Sequence, residues 1–245
     1  DTKKMNKLDN VTIVAICHEK QFKETIKAVD YSMSQIEFAH SLIITEDKLD
    51  PEYRRMLAHK FYPKVQIKTL DKEIDLPEYN RMCIEDLYQY IDTDYCLVVQ
   101  WDGFVVDANR WKEEFLEYDY IGSPWVVSGV KNNVGNGGFS LRSKKFLKAC
   151  SKYKYSPDPK DCTWVTPLQA VDMPITPEDW FMCYHNYDNL LNDEIKFPDM
   201  HIAYKFSVEH ASSLKPFAHD NIKTYKSFGF HGSFNTAGME LLNVR

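Results

Sequence analysis

The chain has 245 residues, of which 44% are hydrophobic and 27% charged, with a net charge of −6. That length is enough for one large α/β domain to bury its own core without disulfide or metal staples. The acidic balance supplies no long-range positive field for nucleic acid or an anionic membrane, and no apolar run reaches the roughly 18 residues of a membrane span.

In chain order, Val11 to Cys17 is a β-branched run of the kind found in buried parallel strands. Gln21 to Met33 follows as a helix, with Phe22, Ile26, Val29 and Met33 on one stripe. Ser41 to Thr45 is a second strand, and Pro51 opens a helix running through Met56 and Leu57 towards Lys60. Val65 to Leu70 alternates like a strand. Glu78 to Ile91 is helical in period, and Tyr95 to Val99 makes a fourth strand. Strands and helices alternating in this way predict an α/β fold, with a mostly parallel sheet and right-handed crossovers.

The second half is less regular. Short strands are expected at Asp119 to Ile121, Phe139 to Leu141 and Ala203 to Val208, with helices at Lys144 to Lys152 and Glu178 to Leu191. Pro157, Pro159, Pro167, Pro174 and Pro177 turn the stretch between those helices into a long loop, of the sort that forms lids and binding loops. One domain is expected over 1–245, with a regularly alternating first half (1–103) and an irregular second half (104–245). The six cysteines form no C-x-x-C pair, and Cys17 and Cys96 lie in apolar runs, so reduced thiols and a cytoplasmic setting are expected. A chain opening on Asp1 rather than Met is also what a targeting segment or anchor cut from a longer or membrane-associated protein would leave.

Ligands of open α/β sheets sit beyond the carboxyl ends of the strands. Gln100-Trp101-Asp102-Gly103 holds that position after the fourth strand. Its aspartate suits a divalent cation bound through oxygen, and equally a solvated turn. Asp107 reads as a cap for the helix that follows it. Gly135-Asn136-Gly137-Gly138 concentrates three glycines in four residues, as a glycine hairpin does, or as backbone that must approach a flat polar ligand or take positive φ. The segment lacks the Lys-Ser/Thr of a P-loop and the full G-x-G-x-x-G spacing. Thr176-Pro177-Glu178-Asp179 reads as a helix start, with Thr176 as N-cap and Pro177 at N1. Asp179 is in addition a candidate general base, with a pKa that the helix terminus would depress. His231, in Phe228-Gly229-Phe230-His231-Gly232, suits either a structural role or a metal.

Together these segments resemble the GT-A glycosyltransferase superfamily and, more closely, a family of uncharacterised bacterial and viral glycosyltransferases. The resemblance is carried by Gln100 to Phe104, Asp119 to Trp125, Gly135 to Arg142, Pro177 to Asp179 and Phe228 to Gly232. It implies a Rossmann-like GT-A fold and metal-dependent transfer of a sugar from a nucleotide-diphosphate sugar to a glycan or glycoconjugate acceptor. The implied cofactor is Mn²⁺ or Mg²⁺. Asp102 corresponds to the last acid of the D-x-D metal motif, with Gln100 where the first acid is usual, and His231 to a C-terminal metal or diphosphate ligand. Asp179 matches the base of inverting members, with Glu178 beside it for substrate hydroxyls. Gly137 and Gly138 would line the donor sugar. Ala15, Cys17, Glu46 and Asn80 would hold the nucleotide, with Gln100, Trp101 and Phe139 also on the donor side. Two other readings stay open: a metal-dependent phosphohydrolase or nucleotidyltransferase using the Asp102 site, and a non-catalytic sugar- or nucleotide-binding module, to which the absent first acid lends some force.

Overall fold

A computed structural model describes residues 6–48, 50–58, 64–125, 127, 129–209 and 226–243. The first half alternates as its periodicity predicts: β1 (Asn6–Ile16), α1 (Phe22–Met33), β2 (Ile36–Glu46), α2 (Pro51–Ala58), β3 (Gln66–Leu70), α3 (Leu76–Arg81), α4 (Leu87–Tyr90) and β4 (Tyr95–Val98). The end expected for the second helix, at Lys60, lies outside the described residues. β1 and β2 begin five residues before the apolar runs that announce them, because the mostly polar Asn6 to Leu8 pairs with Ile36 to Phe38 ahead of a register shift. The helical run from Leu76 to Tyr90 is continuous but widens into a π turn at Met82–Asp86.

The second half adds β5 (Tyr120–Ile121), β6 (Ser140–Ser143), α5 (Lys144–Cys150), α6 (Pro167–Asp172), α7 (Glu178–Trp180), α8 (Tyr187–Asn192), α9 (Met200–Phe206), β7 (Ser207–Val208), β8 (Gly229–Phe230) and α10 (Thr236–Met239). One expectation fails here. Most of Ala203 to Val208 is helix rather than strand, because Asp199 caps Met200–Phe206 through Oδ1, 2.9 Å from the Ile202 N–H. Ile202, Ala203 and Phe206 then bury one helical face. The helix expected from Glu178 to Leu191 is broken by a second π turn at Phe181–His185.

The six-stranded sheet has the order β3-β2-β1-β4-β6-β5, with β1 to β4 parallel and β6 antiparallel to both its neighbours. The order reverses between β1 and β4, so a crevice opens at their carboxyl ends. Since β6 runs the other way, with Ser140 opposite Val98, the glycine segment that precedes β6 arrives at the same edge as the exit from β4. β7 and β8 form a small parallel sheet, and Gly229 also bridges to Val105 just after the β4 turn. A phenylalanine cluster fixes this second layer: Phe139 stacks on Phe206 at 5.1 Å, and Phe206 meets Phe115 edge-on at 5.3 Å. All six cysteines are free thiols, five of them buried. No helix among the described residues is long and apolar enough to cross a membrane.

Candidate active site

Beyond β4 the chain turns back within two residues. Gln100 and Gly103 exchange backbone hydrogen bonds of 2.9 and 3.1 Å, leaving Trp101 and Asp102 at the tip. Gly103 is needed because a Cβ there would crowd His231 and the Gly138 carbonyl. β8 delivers His231 to this turn: the Gly232 N–H donates to the Asp102 carbonyl at 2.8 Å and the Ser233 N–H to Asp102 Oδ2 at 3.2 Å. His231 Nδ1 lies 2.9 Å from Glu209 Oε1 and Nε2 lies 3.0 Å from Gln100 Oε1, so both ring nitrogens face oxygen acceptors. Burial works against charge on this imidazole, but Glu209, Asp102 and Asp179 outweigh it and raise the pKa.

Among the described residues no three His, Cys, Asp or Glu side chains converge as a metal cage. The donors on offer are mixed: Asp102 Oδ1, the Gln100 carboxamide oxygen and His231 Nε2. Asp102 Oδ1 is buried, has no hydrogen-bond partner, and stands 3.8 Å from His231 Nε2. A buried carboxylate oxygen left bare costs free energy unless something charged completes it. With Glu209 holding Nδ1–H, Nε2 is the nitrogen presented for ligation once deprotonated, the usual carboxylate–histidine–metal arrangement. One carboxylate, one amide oxygen and one imidazole fit a divalent cation such as Mn²⁺ or Mg²⁺ that keeps further oxygen ligands from substrate or water.

Across the crevice, the glycine segment serves the protein's own side chains. A Cβ on Gly138 would lie 2.0 Å from His231 Nε2 and 2.7 Å from Gln100 Oε1, and one on Gly137 would lie 1.8 Å from Glu178 Oε1. Positive φ falls on Asn136 (55°) rather than on the glycines around it. In that conformation the Asn136 N–H points at Asp179 Oδ2, 2.8 Å away, while its side chain donates to the carbonyls of Ser123 and Pro124. Gly138→Ala is expected to fold with a melting curve close to the parent's, yet push the imidazole off Gln100 and Asp102. Thermal shift with UDP or GDP checks this: the Mn²⁺-dependent part of any nucleotide stabilisation should vanish in the variant, and its survival would refute the crowding argument.

Two expectations about α7 need correcting. Pro177, not Thr176, occupies the N-cap position, and the Thr176 hydroxyl is buried without a partner. The Asp179 pKa is not depressed but raised, from 3.8 to about 6. Burial is the main cause, helped by the charges of Glu178 and Glu209. These outweigh the Trp180 and Asn136 N–H groups that favour the anion.

Glu178 turns inward. Its carboxylate takes a bidentate pair from Arg142, Nη2 to Oε1 at 2.5 Å and Nη1 to Oε2 at 3.1 Å, with both residues at most 3% exposed. Arg142 also donates to the Gly137 carbonyl at 3.2 Å, and Asn80 Oδ1 accepts the Glu178 N–H at 3.2 Å. Glu178 and Asn80 therefore border the cleft as supports, engaged with protein partners. Phe139 is fully buried in the phenylalanine cluster, and Ala15 is buried inside β1, so neither side chain meets the cleft. Glu46 accepts the Ile74 N–H at 2.7 Å and borders a charged hollow with Lys72 that shares His18 and Lys20 with the neighbouring part of the crevice.

The crevice has two connected parts. One, about 390 Å³, is lined by Ile16, Cys17, Lys20, Thr25, Trp101 and Asp75 among others. The second, about 730 Å³, is lined by Gly137, Gly138, Asp179, His231 and Glu209, with Trp125, Trp164 and Trp180 on its outer side. Leu76, Tyr79 and Gln100 border both.

Residues 64–231 match a family described as protein of unknown function (DUF5672). The chain belongs to this family. The matched region begins just before β3 and ends on His231, so it spans the β4 turn, the glycine segment and Asp179. Solved structures of the galactosyltransferase LgtC, one with donor and acceptor sugar analogs and one of an active-site mutant, each superpose with a TM-score of 0.54. Each is 14% identical over 95% of this chain and 94% of that one. HddC from Yersinia pseudotuberculosis, also 14% identical, aligns over 59% of this chain and 82% of its own at a TM-score of 0.38, too distant to bear on the argument. No curated protein matches. At these identities the likeness speaks for the fold, which is the GT-A glycosyltransferase fold that the sequence resembles.

Four site residues of this DUF5672 protein owe their place to the fold more than to any sequence motif. Tyr79 accepts from Gln100 Nε2 at 2.8 Å, and burial raises its pKa, so its phenol keeps a proton to donate. Asn136, Arg142 and Glu209 are the others. Arg142 carried a signal, a lone charge in the apolar run Phe139-Ser140-Leu141 that leads into it. Glu209 carried none, since its importance comes entirely from a contact with His231, 22 residues away.

Proposed function

We propose that this protein transfers a sugar from a nucleotide-diphosphate sugar to an acceptor hydroxyl, with a divalent cation and with inversion at the anomeric carbon. The observation that carries this reading is Asp179: a carboxylate with its pKa raised to about 6, on the wall of the cleft that Gly138, Gln100 and His231 also line. A general base works best when its pKa lies near the working pH, because it is then both ionised and basic. The smaller part of the crevice suits a nucleoside, with Trp101 for the ring and Lys20 for charge.

Asp102, Gln100 and His231 would hold the cation beside the diphosphate. When bound, it supplies Lewis acidity for the charge on the leaving nucleotide. The chain's own groups do the rest. Asn136 orients Asp179 through Oδ2, so that the carboxylate can take the acceptor proton as the hydroxyl attacks. Tyr79, with its proton retained, can donate to a donor oxygen. The wall beyond Asp179 favours transfer over phosphate hydrolysis or nucleotidyl transfer, which have no use for an extended aromatic surface there.

The experiment is a panel of UDP- and GDP-sugars, with and without Mn²⁺, read by thermal shift and then by product analysis with sugar acceptors. Metal-dependent stabilisation by one nucleotide-sugar, followed by a product of inverted configuration, is the expected result. Nucleotide release that needs no acceptor would instead identify a hydrolase, and stabilisation without any turnover would identify a binding module.

A further inference from the structure

We infer that the acceptor is a carbohydrate whose pyranose ring lies against a tryptophan platform formed by Trp125, Trp164 and Trp180. This rests on the reading of Asp179 as the base and adds the chemical class of what it deprotonates. Trp180 directly follows Asp179, and Trp164 stacks on it at 5.0 Å with the planes 13° apart. Trp125 meets Trp180 from another direction at 5.0 Å. Trp125 lies against Gly135, where a Cβ would fall 1.9 Å from the indole, and Gly135 adjoins the Asn136 that orients the Asp179 carboxylate. The platform and the base are thus tied together through adjacent residues on both sides.

Two of the three indoles have their polar edges engaged by the protein. Trp164 Nε1 donates to the Pro159 carbonyl at 2.7 Å and Trp180 Nε1 to the Thr163 carbonyl at 3.0 Å, so neither indole N–H is left to seek a ligand. The segment carrying Trp164 is pinned as well: the Thr176 N–H returns to the Pro157 carbonyl, and Thr166 and Gln169 form a capping box at the start of α6. The loop expected from the prolines therefore holds an aromatic wall in place. Trp180 is 7% exposed and serves as the base of the stack, while Trp125 and Trp164 keep partly open surface on the cleft. Around them stand the carboxylates of Asp179 and Glu209. Apolar ring faces edged by carboxylates suit a molecule with C–H patches on its faces and hydroxyls around its rim. Leu168 and Val171 are exposed on α6 but do not line the cleft, where Gln169 and Met173 stand beside the tryptophans instead.

The test uses the full chain and saturation-transfer NMR with methyl glycosides of galactose, glucose, mannose and N-acetylglucosamine, and with lactose. At least one should show saturation of its ring C–H protons. Trp164→Ala should weaken it about tenfold, the range expected for one lost aromatic contact, and Trp164→Phe should restore most of it. UDP or GDP binding should stay within twofold in both variants, which separates loss of the platform from loss of the fold. No saturation with any glycoside, or equal binding by parent and Trp164→Ala, would overturn the proposal, as would saturation by a prenyl phosphate probe alone. Glycoside binding that persists while no nucleotide-sugar binds would leave the platform standing and instead remove the transferase reading.

Discussion

Asp179→Asn is expected to lower sugar transfer by roughly 10²–10⁴-fold, the usual contribution of a general base, while nucleotide binding stays nearly unchanged. The same substitution should make the free protein more stable at neutral pH. In the folded chain the Asp179 carboxyl keeps its proton up to about pH 6, whereas an ordinary aspartate releases it near 3.8. Its contribution is therefore most favourable below pH 3.8, declines as the pH rises, and above pH 6 the native state bears the full cost of a desolvated anion. The shift corresponds to about 3 kcal/mol at most, reduced by whatever solvent reaches the carboxylate from the cleft. Asparagine carries no charge there, and its side-chain oxygen can still accept the Asn136 N–H. Melting temperatures of parent and variant should coincide near pH 3.5 and separate at pH 8, with the variant higher. In the parent, kcat/KM should fall as the pH drops below about 6, when the base becomes protonated. Ordinary turnover by Asp179→Asn, or a lower melting temperature at pH 8, would remove Asp179 from this role.

The largest effect on stability is expected from Arg142→Met. The guanidinium is 1% exposed, sits 5.4 Å from the Tyr120 ring centroid, and donates to Glu178, Ser140 and Gly137. Removing it strands the Glu178 carboxylate in the interior, and breaking a buried pair in this way costs about 3–5 kcal/mol. That is a large share of the roughly 5–15 kcal/mol by which domains are stable. Replacing both partners, as Arg142→Met with Glu178→Leu, should recover most of the loss, because no charge is then left unpaired. Urea titration reads both: the midpoint should fall sharply for the single variant with little change in slope, and rise again for the double. A loss below about 1 kcal/mol for Arg142→Met would show that the pair adds little. Gly137→Ala should act on the same pair from above, since its methyl would overlap Glu178 Oε1. Glu178 thus helps the site by fixing the residue beside it, consistent with its full engagement by Arg142 and Asn80.

Much of this architecture was legible along the chain because it depends on neighbours in sequence. The apolar runs of β1, β2 and β4 and the stripe of α1 are local patterns, and a strand end followed by Gln100-Trp101-Asp102-Gly103 marks the sheet edge where ligands gather. Asp107 capping its turn through the Asn109 N–H at 2.9 Å is equally local. Local patterns misled where a cap competed with propensity, as at Met200–Phe206, where Asp199 turns a stretch carrying Ile202, Tyr204 and Phe206 into helix. They also misled at the glycines. Their spacing said that side chains were unwelcome, but only the packed structure shows that Glu178 and His231 occupy the room, with Asn136 adopting the positive φ.

Residue order alone specifies a mostly parallel α/β sheet and the segments that reach its carboxyl edge, because periodicity and turn residues act over a few positions. The tertiary fold alone settles which carboxylate is paired with an arginine and which faces the cleft. Glu178 and Asp179 are adjacent in the chain, yet one is paired with Arg142 from β6 while the other faces the cleft, its pKa raised by burial and by the charges of Glu178 and Glu209. Charge and desolvation are set by what lies a few ångströms away in space: Arg142 is 36 positions from Glu178, and Glu209 and Asn136 are 30 and 43 positions from Asp179.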